Sequence, residues 1–155
     1  MHYQIIKSLR FHDEKEFAND GMDMIIIRIN TLEKKLTAFY ANQHGFLFLD
    51  RHFTKIERDP YAIGDPLAKK QSLTFNTQIF SFEKEAVLYL TSDGYYDQFG
   101  GEQGRKFTIG RFEKLLHEIY SLPAKEQKQI LGNRLKEWMN GNKQLDDILV
   151  VGIRL

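Results

Sequence analysis

The sequence contains no cysteine. This absence excludes disulfide bonds, thiolate metal sites and cysteine nucleophiles together, and it suits a reducing compartment. Long apolar runs are also missing, because the run at residues 24–29 is interrupted by Arg28, so we expect no membrane span. The N-terminal residues lack the apolar core of a signal peptide. We therefore expect a cytoplasmic protein.

The sequence has no large excess of positive or negative charge, since 22 basic residues are balanced by 21 acidic ones and the formal net charge is +1. Such a balance gives no reason to expect nucleic acid or an anionic membrane as a partner. Apolar residues make up 42% and charged residues 28% of the chain, as in ordinary soluble globular proteins. With 155 residues, the chain fits a single domain spanning residues 1–155.

Several catalytic motifs are missing as well. The sequence has no glycine–lysine loop for phosphate and no serine nucleophile elbow. Its histidines form no pair at the i, i+4 spacing of a zinc hydrolase. These histidines are His2, His12, His44, His52 and His117.

The most informative stretch is residues 86–104. There the β-favouring run 87–91 ends abruptly in Asp93 and Gly94. We interpret this pattern as a buried strand that holds the Asp93 carboxylate at the sheet edge, with Gly94 letting the backbone turn away. By itself, an acid in this place is more often the cap of a turn than a ligand for a hard cation such as magnesium or manganese.

A second acidic strand end lies near the C-terminus, where Asp146 and Asp147 precede the apolar run 148–153. Adjacent carboxylates repel each other unless positive charge or solvent relieves the repulsion. A divalent metal, a neighbouring lysine or simple exposure to solvent would each relieve this repulsion. Two strands that carry acids at their ends can bring carboxylates to one site, which favours the metal interpretation of Asp93.

The hydrophobic pattern predicts many strands, then two helices, then one strand. The strands are predicted at residues 22–30, 36–40, 46–49, 53–57, 73–82, 87–91 and 148–153. The segments 36–40 and 46–49 are predicted to form a hairpin around the turn residues Asn42 and Gly45. Residues 1–11 are predicted to be helical.

The first of the two later helices has Thr108 as its predicted N-cap, and the second begins near Pro123 and ends at Asn140 and Gly141. The first helix is indicated by apolar residues on one face, at Ile109, Phe112, Leu116 and Ile119. This order of elements predicts an α+β fold, in which mainly antiparallel sheets carry helices on their faces.

Two segments carry a resemblance to a known family: Thr-Ser-Asp-Gly-Tyr-Tyr-Asp-Gln-Phe-Gly-Gly at 91–101 and Gln-Leu-Asp-Asp-Ile at 144–148. They resemble the bacterial branch of the metal-dependent serine/threonine phosphatases, the protein phosphatase 2C-like domains of SpoIIE and of sigma-factor regulators. Upstream, Asp-Gly-Met-Asp at 20–23 resembles the start of the family's second core strand, and Ala-Ile-Gly at 62–64 resembles one of its loops. Nearly the whole chain is covered.

The resemblance implies a β-sandwich of mainly antiparallel sheets flanked by helices, with the family's first strand and helix missing. It also implies two magnesium or manganese ions and hydrolysis of phosphoserine or phosphothreonine by a metal-activated water. Asp93 and Asp146 would be the metal ligands, with Asp147 as the second choice and Asp97 in a supporting position. No other residue is assigned a catalytic or cofactor-binding role.

The sequence departs from the family at two places. Nothing in residues 1–20 matches the acid–x–x–glycine–histidine–glycine segment that carries the family's bridging aspartate. We therefore expect an N-terminally truncated phosphatase domain with a half-built metal site and little activity alone. Residues 39–44 replace the family's glycine–alanine–asparagine–asparagine–proline loop, which alters the chain near the expected substrate.

The resemblance also implies partners. The substrate would be a phosphorylated regulatory protein, and the parent protein would carry an upstream sensor or receiver domain. A second copy is expected to pair through an exposed sheet edge or through the face with Ile5, Ile6 and Leu9. The alternative function is a catalytically incomplete pseudophosphatase that acts as a binding or dimerisation module. An unrelated metal-dependent phosphoesterase is a third, weaker hypothesis.

Overall fold

The computed structural model describes residues 21–56, 58–64 and 75–155. Within these residues, the longer strands precede two long helices and a last strand follows the helices, as the pattern predicts. The elements are β1 (Met24–Asn30), β2 (Lys35–Ala41), β3 (Gly45–Leu49), β4 (His52–Lys55), β5 (Thr77–Ser81), β6 (Ala86–Thr91), α1 (Gly94–Asp97), β7 (Phe99–Gly100), β8 (Arg105–Lys106), α2 (Ile109–Ile119), α3 (Ala124–Met139) and β9 (Val150–Arg154).

One compact unit consists of the described parts of Met1–His44 and Ile56–Ser81. Its three-stranded antiparallel sheet has the order β1-β2-β5. Strand β2 alternates as a half-buried strand should, because Leu36, Ala38 and Tyr40 are buried and the residues between them are less so. The β1–β2 hairpin is closed by the Asn30 side chain, whose Oδ1 accepts the N–H of Glu33 at 3.0 Å.

The second compact unit consists of Gly45–Lys55 and Phe82–Leu155. Its sheet has four antiparallel strands in the order β4-β3-β6-β9, so β6 is central. Strand β6 is buried at nearly every position, as its continuous apolar run predicts. Helices α2 and α3 cover one face of this sheet. The shared core consists of Phe46, Phe48, Val87, Tyr89, Tyr95, Tyr96, Phe107, Phe112, Leu115, Leu116, Ile119 and Leu131.

The predicted hairpin between residues 36–40 and 46–49 is wrong. Strand β2 pairs with β1 and β5, whereas β3 pairs with β4 and β6, so the two strands lie in different sheets. A tighter turn decides the pairing of β3: Asp50 and Arg51 have φ values of 47° and 72°. Positive φ at both central residues is what a two-residue type I′ hairpin requires, so β3 folds back onto β4.

Both predicted helices of the second unit are confirmed. Helix α2 buries Phe112, Leu116 and Ile119 as the spacing indicates. Thr108 is its N-cap residue as predicted, although the Thr108 hydroxyl accepts no capping hydrogen bond. Helix α3 ends at Asn140, which adopts the left-handed conformation (φ 44°) typical of a helix C-terminus.

These elements confirm the α+β fold class with antiparallel sheets, since every pair of named strands in the described residues is antiparallel. The single domain over residues 1–155 stays a prediction. The helix predicted at residues 1–11, and with it the face of Ile5, Ile6 and Leu9, lies outside the described residues. Within the described part of the chain, none of the helices is long and apolar enough to cross a membrane.

Candidate metal centre

Asp93 lies where strand β6 ends and helix α1 begins. It is half-buried, and its carbonyl oxygen accepts the N–H of Asp97 at 2.9 Å. Gly94 follows with an ordinary φ, so glycine is not required here by a left-handed backbone conformation. Instead, a Cβ atom at Gly94 would lie only 2.4 Å from the carbonyl oxygen of Asp147. Glycine is required here because another backbone segment approaches closely.

The approaching segment is residues 143–149, which contains no helix or strand. Ser92 holds one part of it: its N–H donates to the carbonyl of Leu149 at 3.0 Å. The Ser92 hydroxyl donates to the carbonyl of Asp147 at 2.7 Å and accepts the N–H of Leu149 at 2.9 Å. The structure therefore brings the two acidic strand ends together at the backbone level.

The acidic side chains differ in their surroundings. Asp146 and Asp147 are exposed, so solvent relieves their mutual repulsion. The Asp146 carboxylate accepts the N–H of Asp147 at 2.7 Å. Asp97 forms an ion pair with Lys106 at 2.7 Å, so its charge is already balanced.

The donor set determines which metals suit this place. In the described residues, no group of three or more histidine, cysteine, aspartate or glutamate side chains is arranged to hold a metal ion. Carboxylate oxygens are nevertheless the donors that magnesium and manganese prefer, and magnesium is commonly held by one or two carboxylates together with water. The carboxylates of Asp93 and of Asp146 or Asp147 are therefore suitable donors for such an ion. They number two, whereas a fully enclosed metal site has at least three protein ligands.

The first unit brings together the two upstream segments of the resemblance. Met22 and Ile63 form an antiparallel bridge, with N–H···O distances of 2.7 and 2.9 Å. Gly21 lies so close to Ala62 that a Cβ atom would be 2.6 Å from the Ala62 Cβ. The glycine of the Asp-Gly-Met-Asp segment therefore permits close packing against the Ala-Ile-Gly loop.

The divergent segment 39–44 is held by polar contacts in the same unit. Asn42 has a φ of 52° and donates from its side chain to the Asp23 carboxylate at 3.0 Å. Arg58 donates to the Asn42 side-chain oxygen at 3.2 Å. Burial and the nearby Arg58 charge lower the pKa of His44 below its ordinary value. This loop thus has its own set of stabilising contacts.

Sequence reasoning missed two residues of the candidate centre, Ser92 and Gln98. Both lie inside the quoted 91–101 motif, and that was the only signal available. Their partners are 45 to 57 residues away in the chain, which no local pattern reveals. Gln98 is only 1% exposed, which is unusual for glutamine and marks it as a structural hydrogen-bonding residue.

The fold is that of the protein phosphatase 2C-type domains. The chain superimposes on the SiaA domain of this type from Pseudomonas aeruginosa with a TM-score of 0.76 and 22% identity, covering 86% of this chain and 51% of that one. With the phosphatase domain of SpoIIE from Bacillus subtilis, the TM-score is 0.62 and the identity is 13%, over 97% of this chain and 62% of that one. With the catalytic domain of the serine/threonine phosphatase PstP in complex with two manganese ions, the TM-score is 0.57 and the identity is 14%, over 99% of this chain and 65% of that one.

The sequence itself defines the family more narrowly. Residues 3–155 match the family of Stage II sporulation protein E (SpoIIE), so the chain belongs to this family. Comparison with curated proteins gave no match. The chain spans between 51% and 65% of the lengths of the solved structures above.

Proposed function

We propose that this chain is the metal-dependent serine/threonine phosphatase domain of a bacterial signalling protein. The observation that carries the proposal is the meeting of the two acidic strand ends, with the Asp147 carbonyl against Gly94 in a chain of the SpoIIE family. Family membership and fold support phosphatase chemistry in general. The substrate and the signalling role are the proposed part.

Asp93 and Asp146 would hold a magnesium or manganese ion, with Asp147 as the alternative to Asp146. The ion would supply a water of lowered pKa and neutralise charge on the phosphoryl group. PstP in complex with two manganese ions supports the choice of metal. In this chain, the half-buried Asp93 is the better fixed of the candidate ligands, because strand β6 ends directly before it.

Ser92 is the hydroxyl group next to Asp93, and its bonding argues against a covalent route. Its proton is donated to the Asp147 carbonyl, and the oxygen accepts the N–H of Leu149. A hydroxyl engaged in this way is not free to attack phosphorus, and nucleophilic serines need an adjacent base. The arrangement therefore supports direct attack by water.

The proposed substrate is a phosphoserine or phosphothreonine on a regulatory protein of the sigma-factor type, in the cytoplasm. An upstream sensor or receiver domain in the parent protein would control the reaction. These assignments rest on the family resemblance.

A manganese titration followed by a phosphopeptide assay tests the proposal. The 155-residue chain should bind manganese by calorimetry. Its intact parent protein should release phosphate from a phosphoserine peptide only when the metal is present, whereas the 155-residue chain alone should release little. Asp93→Asn should abolish both signals while leaving the circular dichroism spectrum unchanged. Glu102→Gln is the matched control, since Glu102 is exposed in the turn between β7 and β8. Normal turnover by the Asp93 variant would reject its ligand role.

The second candidate function is a pseudophosphatase that binds or dimerises without catalysis. The small number of candidate metal ligands favours this function, because the described residues do not bring three acidic or histidine side chains together around one point. Calorimetry separates the two functions. A chain that gives no heat with manganese and no phosphate release, yet keeps its fold, is the binding module.

A further inference from the structure

Gln98 is a buried residue whose side chain is bonded at both ends. Its Nε2 donates to the carbonyls of Lys143 at 2.9 Å and Phe99 at 3.0 Å. Its Oε1 accepts the N–H of Leu145 at 3.3 Å. The amide therefore contacts the backbone immediately before Asp146.

The position of Gln98 is itself fixed by its surroundings. Its carbonyl oxygen accepts the indole N–H of Trp138 at 3.0 Å and the backbone N–H of Phe107 at 2.9 Å. Trp138 belongs to the last turn of α3, packs edge-on against Phe107 and lies under the Arg111 guanidinium at 4.5 Å. The Gln98 amide thus projects from a rigid, packed environment.

Ser92 performs the same task after Asp147. Its hydroxyl bonds the Asp147 carbonyl and the Leu149 N–H, so it fixes the backbone on the C-terminal side of the acidic pair. Residues 143–149 have no regular secondary structure that would fix their path. Side-chain bonds from Gln98 and Ser92 on either side of Asp146 and Asp147 therefore set where these acids lie.

We propose that Gln98 and Ser92 are positioning residues that hold the acidic segment 143–149 against Asp93. Neither would touch the metal or the substrate. Each acts by satisfying backbone groups that otherwise lose a partner, one before and one after the acidic pair. The effect of these two residues on metal affinity rests on the proposed function. Their hydrogen bonds to the backbone of residues 143–149 do not depend on it.

Amide hydrogen exchange measured by NMR on the 155-residue chain tests the hold directly. Gln98→Met keeps the length of the side chain and removes its polar atoms, so the Leu145 amide should exchange about fivefold faster or more, the effect of losing one typical hydrogen bond. Ser92→Ala should do the same to the Leu149 amide. Ser92→Thr keeps the hydroxyl and should restore slow exchange.

Gln127→Met is the matched control. Gln127 is also buried, and its amide bonds the Tyr89 hydroxyl and the carbonyls of Tyr120 and Leu122, which lie apart from the acidic segment. Its loss should lower global stability to a similar degree without a selective change at Leu145 or Leu149. Unchanged exchange at both amides in the Gln98 and Ser92 variants would overturn the proposal, as would identical acceleration in the control.

Manganese titration of the same variants provides the second measurement. If the parent chain binds manganese, Gln98→Met and Ser92→Ala should weaken binding about fivefold or more, and Gln127→Met should not. Unaltered affinity in both positioning variants would overturn the positioning role. If the parent binds no manganese, the proposed metal site fails, and the exchange data alone decide whether the two residues hold the segment.

Discussion

At the scale of single residues, the closest approach in the candidate centre is at Gly94. A methyl group there would overlap the Asp147 carbonyl, which belongs to backbone and cannot rotate away as a flexible side chain would. Gly94→Ala should therefore lower the free energy of unfolding by about 1–3 kcal/mol, the usual cost of overpacking. Urea denaturation followed by tryptophan fluorescence measures it.

Gly132→Ala is the control for that substitution. Gly132 lies inside α3, and apart from its chain neighbours and the adjacent helix backbone no described atom lies within 4 Å of its Cβ position. Because alanine is the better helix former, this variant should gain about 0.5–1 kcal/mol. Equal stability changes in both variants would contradict the close-contact explanation of Gly94.

Thr108 is strained, because this β-branched residue has a φ of 78° and a ψ of 147°, close to a region that essentially only glycine occupies. Its side chain makes no capping bond that would be lost on substitution. Thr108→Gly should therefore raise stability by about 1 kcal/mol, measured as a higher midpoint of thermal unfolding. Thr108→Ala keeps a Cβ and should gain much less; equal gains would show that strain at Cβ is not the cause.

The lowered pKa of His44 makes the free energy of unfolding depend on pH, and the direction of that dependence can be predicted. Its pKa is lowered in the folded protein by burial and by Arg58, so the folded state disfavours the protonated ring. The unfolded chain takes up the proton near the ordinary value of 6.5, so the stabilisation is present above that pH and is lost as pH falls below it.

Chemical denaturation between pH 7.5 and 5 checks this dependence. His44→Asn should flatten the decline in unfolding free energy over that window. The control His52→Asn, at an exposed residue of β4, should keep the parent slope. The same slope in both variants would exclude His44 as the source.

At the scale of elements, local pattern located the longer strands and the two long helices of the described residues, but it did not pair the strands. The run at residues 87–91 and the apolar face of α2 were readable because each depends on periodicity within a few residues. The partner of β3 was not readable from composition, since Asn42 and Gly45 are common turn residues whereas Asp50 and Arg51 include no glycine that would mark a tight turn. Positive φ at those two non-glycine residues is a property of the folded chain.

The candidate centre was predictable to the same extent. Asp93 and the acidic pair were found because each ends or precedes an apolar run. Their approach to each other was inferred, and the contact of Gly94 with Asp147 bears out that the segments meet. The metal roles of Asp93 and Asp146 stay predictions. Gln98 and Ser92 escaped notice because their bonds connect residues far apart in sequence.

At the scale of the whole molecule, the sheet edge at β9 is where we expect association with a second copy. Among the described residues, β9 has β6 as its neighbour on one side and no strand on the other. Natural edge strands are usually protected by lysine, proline or a bulge, whereas β9 reads Val-Val-Gly-Ile-Arg with Val151 38% exposed. Such an edge is a template for pairing with another strand.

A second β9 suits this edge. In an antiparallel pair centred on Gly152, Val151 would face Ile153 of the other copy and Val150 would face Arg154, so no like charges would oppose each other. Sedimentation velocity over a range of concentrations should therefore show dimers. Val151→Lys should shift the distribution to monomers, whereas Leu32→Lys, at a residue 96% exposed in the turn between β1 and β2, should not. A monomer at every concentration, or equal loss of dimer in both variants, would contradict pairing through β9.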